Sequence, residues 1–386
     1  NTDLAATLNA TYKESGQDDE IDLQISIPRS DISGLKEYYP IKIGKEGLNW
    51  LDTSLLKGQA IDTKIRLKGK LKDFPFIDEK NQPEPNEGVF EITSKIKGAT
   101  IEYGAGWPLV ENFDIDLDIK GSQIQLTSSS GHILNNQFKL FKGKIASFAD
   151  NQPMLQVDIV TDSPINFMLN AINNSPIKQA MKGTSEDMKG NGPGELNLYL
   201  NIPMKNVDDI TYEGTYTFNG SSLENPSLDL PLLTNINGQL LFNSQTVSIK
   251  NANATLLEQP LVVSLNNKND ITLIDINGSI GDELIRSKFG DEGSKRISGN
   301  TEWHAEFKLK EKESEFTLTT DLNGIAINNL QDFNKESGES IPLTIKKRSP
   351  SDGRDYIDIS YGSLVNAKLI RGKNNKINQG FIGINT

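Results

Sequence analysis

Apolar and polar residues alternate one for one through most of this chain, and few folds accept that pattern. Residues 20–28 read EIDLQISIP, with Ile21, Leu23, Ile25 and Ile27 on one side. Residues 112–121 set Phe113, Ile115, Leu117 and Ile119 against Asp114, Asp116, Asp118 and Lys120. Residues 195–203 do the same with Leu196, Leu198, Leu200 and Ile202. The period recurs at Val247/Ile249, Leu261/Val263/Leu265, Phe307/Leu309, Phe316/Leu318 and Ile357/Ile359. Successive strand residues point to opposite faces, so a two-residue period means strands with one apolar and one polar face. Breakers separate the runs: Asn-Gly at 219–220, 237–238, 277–278 and 323–324, and Lys-Gly at 97–98, 120–121 and 142–143. Read as hairpin turns, they predict a mostly β chain, an antiparallel meander of roughly twenty short strands.

Helical signals are few. Residues 45–57 can form an amphipathic helix with Leu48, Leu51, Leu55 and Leu56 on one side. A second helical stretch is expected over 162–182. Its opening Asp-Ser-Pro caps a first turn that begins with proline, and Asn173-Asn174-Ser175-Pro176 breaks it in two. Residues 281–289 are a third, short candidate. A weak repeat relates 107–138 to 230–261 at an offset of 123. It lays Trp107-Pro108-Leu109 on Leu230-Pro231-Leu232, Ile119 on Phe242, Ile124 and Leu126 on Val247 and Ile249, Leu134 on Leu257 and Phe138 on Leu261. Repeats of this kind stack like units along one axis. The proline-rich 78–87 reads as an exposed loop and the glycine-rich 183–194 as a joint. The expected organisation is a first unit over 1–182, the joint, and a second unit over 195–386 that continues the same sheet.

Composition narrows the function. The 52 acidic residues outnumber 40 basic ones, giving a net charge of −12. A general nucleic-acid binder needs a basic surface to displace counterions, so the balance argues against that class and against strong docking on anionic headgroups. The residues AVILMFWYC make up 35% of the chain. That is thin for a large two-layer core and suits a thin, elongated sheet. No run approaches the ~18 apolar residues of a membrane span. The opening NTDLAATLNATY has no signal-peptide character and already reads as a strand, so the chain is expected to be a piece of something longer. Cysteine is absent, which removes disulfides, thiolate metal sites and cysteine nucleophiles.

No motif carries chemistry. Asp114, Asp116 and Asp118 with Gly121 have the wrong spacing for a calcium loop, because the glycine should follow the third acid directly; they read as the solvent face of a strand. At Asp275-Ile-Asn-Gly, Leu273 stands where the first ligand should be. His132 and His304 lie far apart in sequence, and neither an HExxH motif nor a GxSxG elbow exists. Gly192-Pro193-Gly194 is not a phosphate loop. Tyr103, Trp107, Phe74 and Phe76 could stack on sugar rings, but such residues more often cover the end of a sheet. No catalytic, metal-binding or cofactor-binding residue is therefore nominated.

Several runs in order resemble one family. WLDTSLLKGQA (50–60), IRLKGKLKDFPF (65–76), GVFEITSKIKGATIEYGAGWPLVENFDIDLDIKG (88–121) and DSPINFMLNAINNSPI (162–177) are similar to the large YhdP proteins of Gram-negative bacteria. SGNTEWHAEFKLK (298–310) and FTLTTDLNGIAINNLQDFNKESGESIPLTI (316–345) resemble the AsmA-type stretch of that family. There Asn329-Leu330-Gln331 replaces the usual hydrophobic run ending in Leu-Pro. The resemblance spans nearly the whole chain; residues 195–297 share mainly the pattern. It implies kinship with TamB and other AsmA-like proteins: long β-sheets curled into an open groove, anchored in the inner membrane and spanning the periplasm, that carry phospholipid between the inner and outer membranes. It further implies an anchor before Asn1, more groove after Thr386, and no catalytic residues to carry over.

The residues alone point the same way. An apolar face repeated over so many strands, with few helices to cover it, is an aggregation hazard if flat. Curling hides it in a trough where acyl chains lie on the apolar floor. The expected floor is Ile21, Leu23, Ile25, Ile115, Leu117, Ile119, Leu196, Leu198, Leu200, Leu240, Phe242, Val247, Ile249, Leu261, Val263, Phe307, Leu309, Phe316 and Leu318. The expected partners are phospholipid acyl chains and, through parts outside this chain, the two membranes; the chain is expected to be a monomer. The alternatives are a polysaccharide-binding or polysaccharide-cleaving β-solenoid, and an envelope scaffold with an ordinary sandwich core.

Overall fold

The computed structural model describes residues 5–16, 18–32, 53–134, 136–180, 185–206, 209–226, 230–268, 271–281, 295–310, 313–328, 333–372 and 376–385. Among these, 67% are in strand and 6% in helix. Twenty-two strands belong to one antiparallel sheet, and two short strands form another. The chain divides into two compact units, Asn1–Glu186 with Gly194–Thr215, and Asp187–Pro193 with Tyr216–Thr386.

The first unit holds β1 (Ala5–Lys13), β2 (Glu20–Asp31), β3 (Leu55–Lys70), β4 (Gly88–Ile101) and β5 (Val110–Lys120). It continues with β6 (Gln123–Ser128), β7 (His132–Ile133), β8 (Asn136–Ile145), β9 (Met154–Asp162), helices α1 (Ile165–Asn173) and α2 (Ile177–Ala180), and β11 (Gly194–Pro203). Most strands pair with the strand before them. β5 meets both β6 and β7, which share β8. β11 returns beside β9 after the helices. One side is a closed core in which Phe113 meets Phe141 edge-on at 4.7 Å, with Phe138, Leu155, Leu200 and Ile202 around them.

In the second unit β10 (Lys189–Asn191) pairs with the end of β12 (Thr211–Asn225). A meander follows: β13 (Leu230–Asn243), β14 (Val247–Leu256), β15 (Gln259–Lys268), β16 (Ile271–Ile280), β18 (Thr301–Lys310), β19 (Glu313–Thr320), β21 (Leu343–Ser349), β22 (Asp355–Tyr361), β23 (Val365–Arg371) and β24 (Ile377–Ile384). β17 (Ile297–Gly299) and β20 (Ile325–Ile327) pair with each other aside from it. Lys335 is buried there and donates from Nζ to the carbonyls of Ile325 and Glu336 at 2.7 and 3.0 Å. In the same unit Tyr216 is fully buried, edge-on to Phe218 at 4.9 Å.

Three local expectations need correction. The helix expected over 45–57 lies outside the described residues up to position 52. Thr53 and Ser54 are helical, but Leu55, Leu56 and Lys57 already belong to β3, where Leu55 pairs with Ile101 and Lys57 with Thr100. Ladder hydrogen bonds to β4 outcompete the local helical pattern. The Asp-Ser-Pro cap does not form. Pro164 itself is the N-cap of α1, and its ring has no oxygen to make a side-chain cap bond; the Ser163 N–H before it donates to the Gly194 carbonyl at 2.8 Å. The break at 173–176 is present between α1 and α2. Most of the glycine dipeptides are not turns: 97–98, 142–143, 219–220, 237–238 and 277–278 all lie inside strands. Two of them mark β-bulges, where the register shifts between Ile96 and Ala99 and on both sides of Asn237. Gly98 and Gly238 adopt positive φ there, 59° and 153°. Turns do occur at 120–121 and 323–324. The candidate at 281–289 lies outside the described residues beyond Gly281.

The repeat is structural. Lys120–Gln123, Ile119–Ile124 and Leu117–Leu126 pair across β5 and β6. Phe242–Val247, Leu241–Ser248 and Leu240–Ile249 pair across β13 and β14. The last two of the first set and the outer two of the second coincide at an offset of 123, as do Val110–Ile133 and Leu233–Leu256. Even the unusual backbone repeats: φ is 48° at Asn112 and 49° at Asn235, 49° at Leu134 and 50° at Leu257.

Candidate functional site

Directly opposite residues in paired strands share a face of the sheet, so the registers define continuous rows. In the first unit Ile25 faces Ile65, Ile65 faces Ile92, and Ile92 faces Ile119. The row continues from Ile119 through Ile124 and Ile145 to Leu155 and Ile202. Beside it Leu117 faces Leu126, and Val157 faces Leu200. The row is half-buried from β2 to β6 and fully buried from β8 to β11, where the closed core begins.

In the second unit the row runs from Leu240 through Ile249 and Leu265 to Ile274. It goes on through Phe307, Phe316 and Lys347 to Ile357 and Leu369. Every member is half-buried. A parallel row holds Val263, Ile276, Ala305, Leu318 and Ile345, with Ile276 and Ala305 buried. Phe307 and Phe316 stack at 4.5 Å.

Of the residues expected on the floor, Ile115, Leu200 and Leu261 are buried. The others, Ile21, Leu23, Leu196, Leu198, Phe242, Val247 and Leu309 among them, are half-buried. Ile65, Ile92, Ile145 and Ile274 belong to the rows but were not singled out. The alternating runs IRLKG and ITLIDI carried the same signal.

The other face is polar and internally paired. Asp114 accepts from Lys97 Nζ at 2.8 Å and from the Gly98 N–H at 2.9 Å, and these bonds, the Lys97 one first, lower its carboxyl pKa. Asp116 stands opposite Lys95, and Asp118 accepts from Lys120 at 2.9 Å. These acids therefore sit where solvent-face residues of a strand belong. Arg66 pairs with Asp22 in the same way. Phe76 is buried and packs edge-on to Phe74, which in turn meets Phe90 at 4.9 Å, so these rings close the end of β3 and β4. Tyr103 and Trp107 lie 5.8 Å apart, and burial pushes the Tyr103 phenol up.

One convergence was not legible. On the polar face of β16 and β18, His304 Nε2 lies 2.6 Å from Asp275 Oδ2, and Glu306 stands opposite Asp275. These are the group of metal-ligand type among the described residues. His304 and Asp275 are both well exposed, and Asn277 engages the other oxygen of Asp275 at 2.9 Å, as a solvated cross-strand pair would.

No helix among the described residues is long and apolar enough to cross a membrane. No solved structure matches the chain. The chain is 21% identical over 329 residues to the intermembrane phospholipid transporter YhdP of Escherichia coli (strain K12), an alignment covering 83% of this chain and 25% of that protein. The chain thus spans about a quarter of the length of that curated relative. The family described as YhdP protein matches residues 1–386, from one end of the sequence to the other, and the chain belongs to that family.

Proposed function

We propose that this chain is a segment of a lipid-transfer conduit in which acyl chains lie along the apolar sheet face while headgroups remain in water. The observation that carries the reading is the row from Leu240 to Leu369, apolar at nearly every strand and only half-buried at every strand. A sandwich core would bury such a row, since burial of an aliphatic side chain stabilises by about 1.5–3 kcal/mol. An apolar row of this length that is left partly open to solvent suits a binding face. The E. coli relative is named for moving phospholipid between membranes, which fits acyl chains as the occupant. In this reading the chain works in the periplasm between inner and outer membranes, as a monomer, through passive contact. The reading assigns it no enzymatic step, metal or cofactor. The organisation into a unit over 1–182, a joint at 183–194 and a second unit over 195–386 is part of the same proposal.

A photoreactive residue at position 240 is expected to crosslink phospholipid in cells, and mass spectrometry is expected to find lipid co-purifying with the chain. Phe242→Asp is expected to abolish the crosslink while the melting temperature stays within a few degrees of the parent. On an open face the carboxylate reaches water; in a closed core it would be an unpaired buried charge. An unfolded variant, or crosslinking at the parent level, would show that this stretch is not a conduit.

A further inference from the structure

On the polar face of the sheet Asp22, Asp114 and Asp118 each meet a cation, Arg66, Lys97 and Lys120 in turn. The β16–β18 pair departs from that pattern. Asp275 stands directly opposite Glu306, and like charges so placed repel. The next residues across the sheet are hydroxyls: Ser264 on β15 opposite Asp275, and Thr317 on β19 opposite Glu306. Lys308, further along β18 on this face, lies 3.9 Å from Glu315. What stands beside the two carboxylates is an imidazole. His304 is two residues from Glu306, hence on the same face, and its Nε2 reaches Asp275 Oδ2 at 2.6 Å. One ligand atom from each of Asp275, His304 and Glu306 can be chosen so that all three lie within 4.8 Å of one another. Asn277 completes the arrangement. It stands opposite His304 and donates from Nδ2 to Asp275 Oδ1 at 2.9 Å. That bond leaves Oδ2 turned to the imidazole, the part an outer-shell amide plays around a metal ligand.

We propose that His304, Asp275 and Glu306 form a binding site for one divalent transition-metal ion, zinc by the chemistry of the donors. One imidazole nitrogen with carboxylate oxygens is a set that zinc accepts, at ~2.0–2.2 Å. Tetrahedral ligand atoms at those lengths stand ~3.3 Å apart, so the pair now at 2.6 Å opens only slightly to admit the ion. The ion takes the Nε2 lone pair while the ring proton resides on Nδ1, and each carboxylate gives one oxygen. Water fills the fourth position, which the exposure of His304 and Asp275 leaves open. Two positive charges remove the repulsion between Asp275 and Glu306. The ion also ties β16 to β18 behind Ile274 and Phe307, which face each other on the apolar side. The conduit reading needs no metal, so this site goes beyond it, and each stands or falls separately.

The test is calorimetric titration of the untagged full chain with zinc sulfate, with the melting temperature followed alongside. One equivalent is expected to bind with a Kd of about 1–10 μM. The melting temperature is expected to rise with zinc, because the three ligands converge only in the folded register. His304→Ala is expected to weaken binding at least tenfold and to remove the rise, and Asn277→Ala, which keeps all three ligands, to weaken it about tenfold. His132→Ala, at the only other histidine, is expected to change neither. Excess magnesium is expected not to compete, because it prefers an all-oxygen octahedral set. Parent-level affinity in His304→Ala or Asn277→Ala, loss of binding in His132→Ala, displacement by magnesium, or a parent that binds no zinc below about 100 μM would each overturn the site. His304→Gln repeats the measurement should the alanine variant fold poorly.

Discussion

Gly278 on β16 lies directly opposite Trp303 on β18, and the indole occupies the space a side chain at 278 would need. A Cβ there would stand 2.7 Å from Trp303 Cζ2, 2.9 Å from Cε2 and 3.2 Å from Leu261 Cβ on the other side. Gly278→Val is therefore expected to destabilise the second unit by about 1–3 kcal/mol, the range for overpacking a filled site. Urea unfolding checks this. A variant as stable as the parent would mean that the indole moves aside freely.

The β14–β15 hairpin turns through Leu257 and Glu258, both at positive φ, 50° and 67°. That is the conformation of a type I′ turn, which Asn-Gly adopts with least strain. Leu257→Asn with Glu258→Gly is expected to raise stability by about 1 kcal/mol, seen as a higher melting temperature. No rise would show that Leu257, half-exposed at this tip, is held by contacts that offset the strain.

Tyr216 is fully enclosed and packs edge-on to Phe218. Tyr216→Ala is expected to destabilise by about 3–5 kcal/mol, the range for emptying an aromatic core site. Tyr216→Phe, which keeps the ring, should lose far less; equal losses would place the effect in the hydroxyl rather than in the packing.

Asp114 titrates below its ordinary value of 3.8, held there first by Lys97 and then by the Gly98 N–H at the β4 bulge. A lowered folded-state pKa means the contribution to stability is present above the unfolded pKa and is lost as pH falls through the folded value. Melting temperature is accordingly expected to fall on acidification below about pH 4, and Asp114→Asn to flatten part of that fall. An Asp114→Asn profile that overlays the parent would remove the carboxylate from the account.

The faces of the strands were legible because a two-residue period survives any error in strand length. Ile25, Ile119 and Leu198 could be placed on the apolar face without knowing their partners. What joins one strand to the next was harder to see. Asn237-Gly238 looks like a turn on local grounds, yet a glycine that permits a bulge inside β13 has the same composition as one that reverses the chain. Leu55 and Leu56 carry a helical pattern that pairing with β4 overrides. Asp275 and His304 are 29 residues apart and meet only through the β16–β18 register. Lys347 was invisible for a different reason: in LTIKKRS three consecutive basic residues hide which one occupies the apolar face, and only the register with Phe316 and Ile357 decides it.

In both units nearly every strand lies beside the strand that precedes it in the chain. A sheet with that connectivity can zip up in the order of synthesis, each new hairpin finding its edge already waiting and closing only short loops, which favours fast local folding over long-range search. Width then becomes a linear function of gene length. Each added hairpin extends the sheet by two strand spacings, about 9–10 Å, and leaves the existing pairs untouched. The breadth of the sheet can thus be changed by duplicating or deleting whole hairpins, and the 123-residue echo between β5–β8 and β13–β15 has the form such a history would leave.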